Sequence, residues 1–158
     1  MAADALRLAT RDDAGEIARL SRDRIEIGLG WSWTLPRVLR SIRDHETNVV
    51  VVRSAVGLHG FGIMKYGVDD AHLLLLAVRV EDERQGLGTA LIDWLERSAQ
   101  VGGVARIGLE ARASNAAARA FYARHGYREL QAVAGYYQGR EACVRMEKVL
   151  RVERAVPG

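Results

Sequence analysis

The chain has 158 residues, 49% hydrophobic and 27% charged, which predicts one globular domain over residues 1–158 and excludes a mainly disordered chain. Its formal charge is +3, with 23 basic and 20 acidic residues interspersed along the sequence; that pattern argues against a nucleic-acid partner. The longest unbroken apolar run, Leu73 to Val78, has six residues, against the roughly 20 that a membrane-spanning helix needs, so no membrane partner is expected.

In chain order, Asp4 and the pair Asp12-Asp13 deny the first residues the basic-then-apolar layout of a secretory signal, and the expected compartment is the cytoplasm. Leu6 and Leu8 alternate with polar neighbours as a short strand. Acids at Asp12, Asp13 and Glu16, followed by Ile17, Leu20 and Ile27, predict a helix from Arg11 to Ile27. Gly28-Leu29-Gly30 breaks it, and Thr34 with Pro36 opens a second helix ending near Asp44. Val49 to Val52 and Gly57 to Tyr66 read as an antiparallel pair turning near Ser54-Ala55. Ala71 to Val80 is a longer strand whose four leucines suggest burial on both faces. A helix with Leu91, Ile92, Leu95 and Ala99 on one side follows Gly86-Leu87-Gly88 and stops at Gly102-Gly103. Val104 to Glu110 is a strand, and Ser114 and Asn115 open a helix that Gly126 closes. Tyr127 to Val133 and Glu141 to Val149 are the last strands, and the Pro157-Gly158 end is expected to fray. Cys143 is the only cysteine and the four histidines lack ligand spacing, so neither a disulfide nor a metal site is expected.

The most informative stretch runs from Glu83 to Leu91, between a buried strand and an amphipathic helix. Glycines let backbone approach a ligand closely, and the amides of a helix start favour phosphate, so an anion site is the natural inference. Leu91 stands where a dinucleotide fingerprint has its third glycine, and no Gly-Lys-Ser or Gly-Lys-Thr follows for a nucleotide P-loop.

Arg84-Gln85-Gly86-Leu87-Gly88-Thr89-Ala90-Leu91 resembles the pyrophosphate-binding motif of the GNAT superfamily of acetyl-CoA-dependent N-acetyltransferases. Downstream, Leu109 to Asn115, Ala120-Phe121-Tyr122 with Gly126-Tyr127, and Gly135-Tyr136-Tyr137 with Gly139 to Ala142 resemble the RimI-like ribosomal-protein alanine N-acetyltransferases. The likeness covers Ala71 to Leu150; the first 70 residues fit the superfamily's element order but not that branch's sequence. It implies a GNAT fold, α/β (α+β), with a mixed and largely antiparallel central sheet of about seven strands and about four helices on its two faces.

By that resemblance the backbone amides of Arg84, Gln85, Gly86, Leu87, Gly88 and Thr89 hold the pyrophosphate of acetyl-CoA, and Leu76, Ala77 and Val78 pair with its pantetheine arm like an added strand. The Val78 amide then polarises the thioester carbonyl. Glu110 is implied as the base that neutralises the amine, directly or through a water, Tyr122 as the acid at the departing thiolate, and Asn115 as a cofactor contact. On their residues alone, Glu110 also reads as an ion-pair partner of Arg112 or Arg106, Tyr122 as core packing beside Phe121, and Asn115 as a helix-start residue beside a Ser114 cap. The superfamily takes its acceptor at the connection between the first two helices and at the last hairpin, here Trp31, Ser32 and Trp33, and Tyr136, Tyr137 and Gln138. These aromatics read equally as completing the core. The segments lack an acidic cluster, which disfavours a polycationic acceptor.

Three departures stand out: Glu83 occupies a position where the superfamily usually has Gln or Arg, Val80 one where a proline is common, and the last hairpin is a few residues shorter than in RimI-like enzymes. An acid beside a pyrophosphate weakens binding if it points inward. The expected activity is acetyl transfer to a primary amine, such as a protein N-terminus, by a monomer or homodimer. The alternatives are a small-molecule amine acceptor and a non-catalytic acyl-CoA-binding module.

Overall fold

The computed structural model describes residues 6–137, 139 and 141–151; Gln138 and the Pro157-Gly158 end lie outside the described residues. The elements follow the expected order: β1 (Leu6–Leu8), α1 (Ala14–Arg24), α2 (Leu35–Arg43), β2 (Thr47–Ser54), β3 (Gly57–Tyr66), β4 (Asp70–Val78), α3 (Leu87–Val101), β5 (Arg106–Arg112), α4 (Ala116–Arg124), β6 (Arg128–Tyr137) and β7 (Glu141–Val149). The strands form a seven-stranded, mostly antiparallel sheet in the order β1-β2-β3-β4-β5-β7-β6. The chain divides into two compact units. One holds the chain up to Lys65 with Leu73–Arg97; the other holds Tyr66–His72 with the chain from Ser98 on.

In the first unit, the β2–β3 register sets Val49 opposite Ile63 and Val51 opposite Phe61. These four join Leu75 and Ala77 of β4, Ile17 of α1 and Val38 of α2 in one apolar cluster. Strand alternation turns Val50 and Val52 to the opposite face, where they are also fully buried. Here α3 packs, and β3 makes way for it: a Cβ on Gly62 would lie 2.8 Å from Leu95 Cδ1, and one on Gly60 3.2 Å from Leu91 Cδ1.

Two expectations change. The first helix is shorter than Arg11 to Ile27, because a 3-10 turn at Arg11–Asp13 precedes α1. Asp13 accepts from the Thr10 N–H at 2.8 Å, Arg7 at 2.9 Å and Arg53 at 2.5 Å. Burial works to raise its carboxyl, but these donors outweigh burial and hold it below the ordinary range. Beyond Arg24, the buried Glu26 carboxylate draws the chain out of the helix by accepting from the Ser32 N–H at 2.7 Å and the Ser32 hydroxyl at 2.5 Å. The leucines of β4 are not buried alike: Leu73 and Leu75 are buried, whereas Leu74 and Leu76 are half-buried.

In the second unit, β5 pairs antiparallel with β7 from Arg106↔Val149 to Arg112↔Cys143. Ile107, Leu109 and Ala111 are buried while Gly108, Glu110 and Arg112 stay half-buried, so alternation points the three to the other face of β5. Gly103, with φ 79°, ends α3 in the left-handed conformation favoured after a helix.

Candidate active site

The turn before α3 is shaped by a buried carboxylate and two left-handed residues. Asp82 accepts from Arg79 Nε at 2.7 Å and lies 2.8 Å from His59 Nδ1. The Arg79 guanidinium, with His59 beside it, holds the Asp82 carboxyl below its ordinary value against the opposing effect of burial. Beyond it, Arg84 and Gly86 take φ values of 64° and 78°. Nothing lies within 4 Å of where a Gly86 Cβ would be, so conformation rather than space calls for glycine there. Leu87 then plugs into the core as the first residue of α3, and its first-turn amides point along the axis, as an anion site requires.

Glu83, the acid that departs from the superfamily pattern, is engaged by Arg24 of α1. Arg24 Nε also donates to the Val78 carbonyl at 3.3 Å. The end of β4 is thereby oriented. The Arg79 N–H donates to the His59 carbonyl at 2.9 Å, and the Ala77 carbonyl lies 3.0 Å from where a Gly60 Cβ would sit. Residues 77 and 79 therefore turn their backbone groups toward β3, and alternation turns those of Leu76 and Val78 away from it.

Trp31 and Trp33, paired as acceptor contacts by the resemblance, part ways in this unit. Trp33 is 8% exposed and belongs to the core cluster, with the Arg37 guanidinium 3.9 Å from its ring centroid. Trp31 is exposed, and its indole N–H donates to the Ala18 carbonyl at 3.2 Å. An aromatic in a connection carries no periodicity, so the sequence could not separate the two.

On the second unit, Glu110 takes neither of the arginine partners that its sequence context suggests. Arg112 binds Glu141 at 2.7 Å and Arg106 pairs with Asp70 at 3.4 Å. Glu110 Oε2 instead lies 2.5 Å from His72 Nε2, and the Tyr136 hydroxyl donates to Oε1 at 3.2 Å. Burial raises the carboxyl, but the His72 contact, the Tyr136 hydrogen bond and the Arg145 charge together bring it below its ordinary value. His72 is the functional candidate that sequence reasoning missed, since the four histidines are weighed there only as metal ligands and lack the spacing for it. The available signal was its place at the head of a strand and the glycine two residues before Glu110 on the same face of β5.

Tyr136 also meets Tyr137 edge-on at 4.9 Å, and burial pushes the Tyr137 phenol upward. On α4, Tyr122 is half-buried and packs edge-on against Phe121 at 5.3 Å and Tyr127 at 5.7 Å. Burial raises its phenol, which keeps the proton in place as a hydrogen-bond donor and makes full release of it harder. Ser114, expected to cap α4, instead donates to Glu141. The cap is Asn115, whose Oδ1 accepts from the Ala118 N–H at 3.0 Å, so this oxygen already has a structural task. No group of three or more metal-ligating side chains occurs among the described residues, and no helix among them is long and apolar enough to cross a membrane.

A family model described as "Acetyltransferase (GNAT) family" matches residues 16–127. The ribosomal protein bS18 alanine N-acetyltransferase of Escherichia coli (strain K12) is 42% identical over 89 residues, 54% of this chain and 60% of that protein; the chain thus spans less than two thirds of this curated relative. The crystal structure of the ribosomal-protein-S18-alanine N-acetyltransferase from Escherichia coli superposes with a TM-score of 0.79 at 26% identity, covering 94% of this chain and 95% of that one. Ard1 from Thermoplasma volcanium shares the fold with a TM-score of 0.80 at 23% identity, covering 93% and 97%. The match takes in the left-handed turn, the start of α3 and the strand that carries Glu110, and on that basis the chain belongs to the acetyltransferase (GNAT) family.

Proposed function

We propose that this protein transfers the acetyl group of acetyl-CoA to a primary amine, and that the amine is the N-terminal α-amine of a protein. Membership of the family supports acetyl-CoA as donor. The name of the bS18 alanine N-acetyltransferase supports the acceptor class, because an alanine side chain has no nitrogen and a protein alanine can be N-acetylated only at a free α-amine. A ribosomal-protein type of acceptor accords with the cytoplasmic location expected from the sequence.

The observation that carries the reading is the Glu110 cluster. An acceptor must lose a proton before it can attack. An α-amine titrates at about 7.7 to 8.0 and a lysine at about 10.4, so near neutral pH the α-amine needs far less help. An imidazole–carboxylate pair, His72 with Glu110 and the Tyr136 hydroxyl on its second oxygen, suits the easier task. In this reading the amides of Arg84 to Thr89 bind the diphosphate, and Leu76, Ala77 and Val78 take the pantetheine arm. The Val78 amide donates to the thioester oxygen as charge develops there, and the Tyr122 hydroxyl hydrogen-bonds the departing sulfur. Asn115 keeps a place beside the cofactor through its amide nitrogen. Trp31 on the first unit, and Tyr136 and Tyr137 on the second, are acceptor contacts in this reading, and Trp33 supports the connection that carries Trp31 from the core. The engagement of Glu83 by Arg24 weighs against a non-catalytic module so far as that alternative rests on an acid at the diphosphate.

The test is thiol release from acetyl-CoA with three acceptors: a peptide with a free N-terminal alanine, the same peptide blocked at its N-terminus but carrying a lysine, and a panel of small amines. Turnover with the first alone is expected. Turnover confined to the small amines would replace the acceptor class, and the absence of calorimetric binding at millimolar acetyl-CoA would overturn the reading as a whole.

A further inference from the structure

The Glu110 carboxylate has a partner on each oxygen, His72 Nε2 at 2.5 Å and the Tyr136 hydroxyl at 3.2 Å. The imidazole is the outer member of the pair, with 43% of its side chain exposed against 14% for the carboxylate. An ionised carboxylate only accepts, so Nε2 carries the hydrogen shared with Glu110, and in the neutral ring it is Nδ1 that has the lone pair. Beside Nδ1 the missing Cβ of Gly108 leaves room for one methyl-sized group, at 3.8 Å from the nitrogen. Among the described residues, Arg145 lies opposite Glu110 on β7 and Glu147 opposite Gly108, and Arg106 and Asp70 pair with each other at 3.4 Å.

We infer that His72 takes the proton from the acceptor amine on Nδ1, and that Glu110 is the positioning residue that fixes the ring and stabilises its charged form. The inference rests on the acetyl-transfer reading above. A proton acceptor must be reachable, and here the more reachable of the two groups is the imidazole, whose Nδ1 is not the nitrogen that Glu110 engages. In the step itself, the ammonium form of the acceptor gives one proton to Nδ1, and the freed lone pair forms the C–N bond at the thioester carbon. The C–S pair leaves on sulfur as thiolate, and a second proton from the same nitrogen completes the free thiol. The imidazolium then loses its proton to solvent, so each turnover consumes one ammonium and one thioester and yields one amide, one thiol and one proton.

The full chain is assayed with acetyl-CoA and the free N-terminal alanine peptide as wild type, His72→Gln, His72→Ala, Glu110→Gln and Gly108→Ala. Gln at 72 keeps a donor for Glu110 but accepts no proton. It is expected to lower kcat roughly a hundredfold while calorimetric affinity for acetyl-CoA stays unchanged. The Ala variant is expected to regain turnover with added imidazole in a concentration-dependent way, which a merely structural role would not allow. A methyl at 108 fits, at 3.8 Å from Nδ1 and 3.9 Å from the Met146 carbonyl, and by filling the amine's space it should lower kcat severalfold in a chain that melts like wild type. Wild type that binds acetyl-CoA but acetylates no amine overturns the functional reading. Active wild type overturns this inference alone if His72→Gln keeps kcat within twofold, or if Glu110→Gln abolishes turnover and imidazole fails to rescue His72→Ala.

Discussion

At the start of α3 the working parts are backbone: two left-handed residues and the amides of one helical turn, held up by Asp82. Around Glu110 the working parts are side chains from three strands, His72 of β4, Glu110 of β5 and Tyr136 of β6, brought together by register. The first kind of site tolerates most changes of side chain and fails only where conformation is forced. The second depends on each of its atoms, and so, on the function proposed above, is where single substitutions are expected to change acceptor preference and rate.

That contrast can be broken at several points. The largest effect is expected from removing a single chemical group: Tyr122→Phe should lower kcat roughly a hundredfold and leave acetyl-CoA affinity unchanged by calorimetry. Because burial raises this phenol, the wild-type rate should show no loss from its ionisation until the pH passes the ordinary tyrosine value of about 10. A Phe variant as fast as wild type would return Tyr122 to core packing.

The support beneath the turn comes next. Asp82→Asn should cost about 2 kcal/mol of stability, since it replaces hydrogen bonds made by a charged group that Arg79 and His59 both contact. The Asp82 carboxyl is held low in the folded chain, so its contribution is complete above the unfolded value of about 3.9 and is lost as pH falls through the folded value. Urea midpoints of wild type and variant should therefore differ at pH 7 and converge below about pH 4. A gap that persists in acid would mean that the loss comes from packing.

Gly86→Ala isolates backbone conformation. The site is open, so the only cost is a left-handed alanine, about 1 kcal/mol, which should appear as a roughly fivefold weaker acetyl-CoA affinity with kcat nearly unchanged. The smallest effect belongs to Arg24→Gln, which frees Glu83. An exposed ion pair is worth about 0.2 to 1 kcal/mol, so affinity should drop about twofold and the deficit should shrink as salt is raised. Equal losses at low and high salt would assign the role of Arg24 to its bond with the Val78 carbonyl instead.

The same contrast explains what could be read in advance. Local signals carried the order of elements: Gly86 and Gly88 ahead of the spaced Leu91 and Leu95, the β-branched run of β2, and Gly103 at the close of α3. Where a local signal competed with a distant partner, the distant partner won. Ser114 has the better claim to cap α4 on sequence, yet Glu141, 27 residues on, takes its hydroxyl and leaves the cap to Asn115. Ile27 continues the spacing of α1, yet Glu26 folds back to bind Ser32. His72 and Glu110 meet across a sequence separation that no periodicity spans, and only the register of the folded strands brings them to hydrogen-bonding distance.

The two glycines of β3 that face α3 have a reach well beyond their own contacts. A helix of 15 residues is about 22 Å long and pivots on the sheet where Leu91 and Leu95 touch it. One methyl group added at Gly62 would lie 2.8 Å from Leu95 Cδ1, and that fully buried leucine would have to turn aside within the layer between sheet and helix. The closeness of α3 to the sheet is thus set on a neighbouring strand by atoms that are missing.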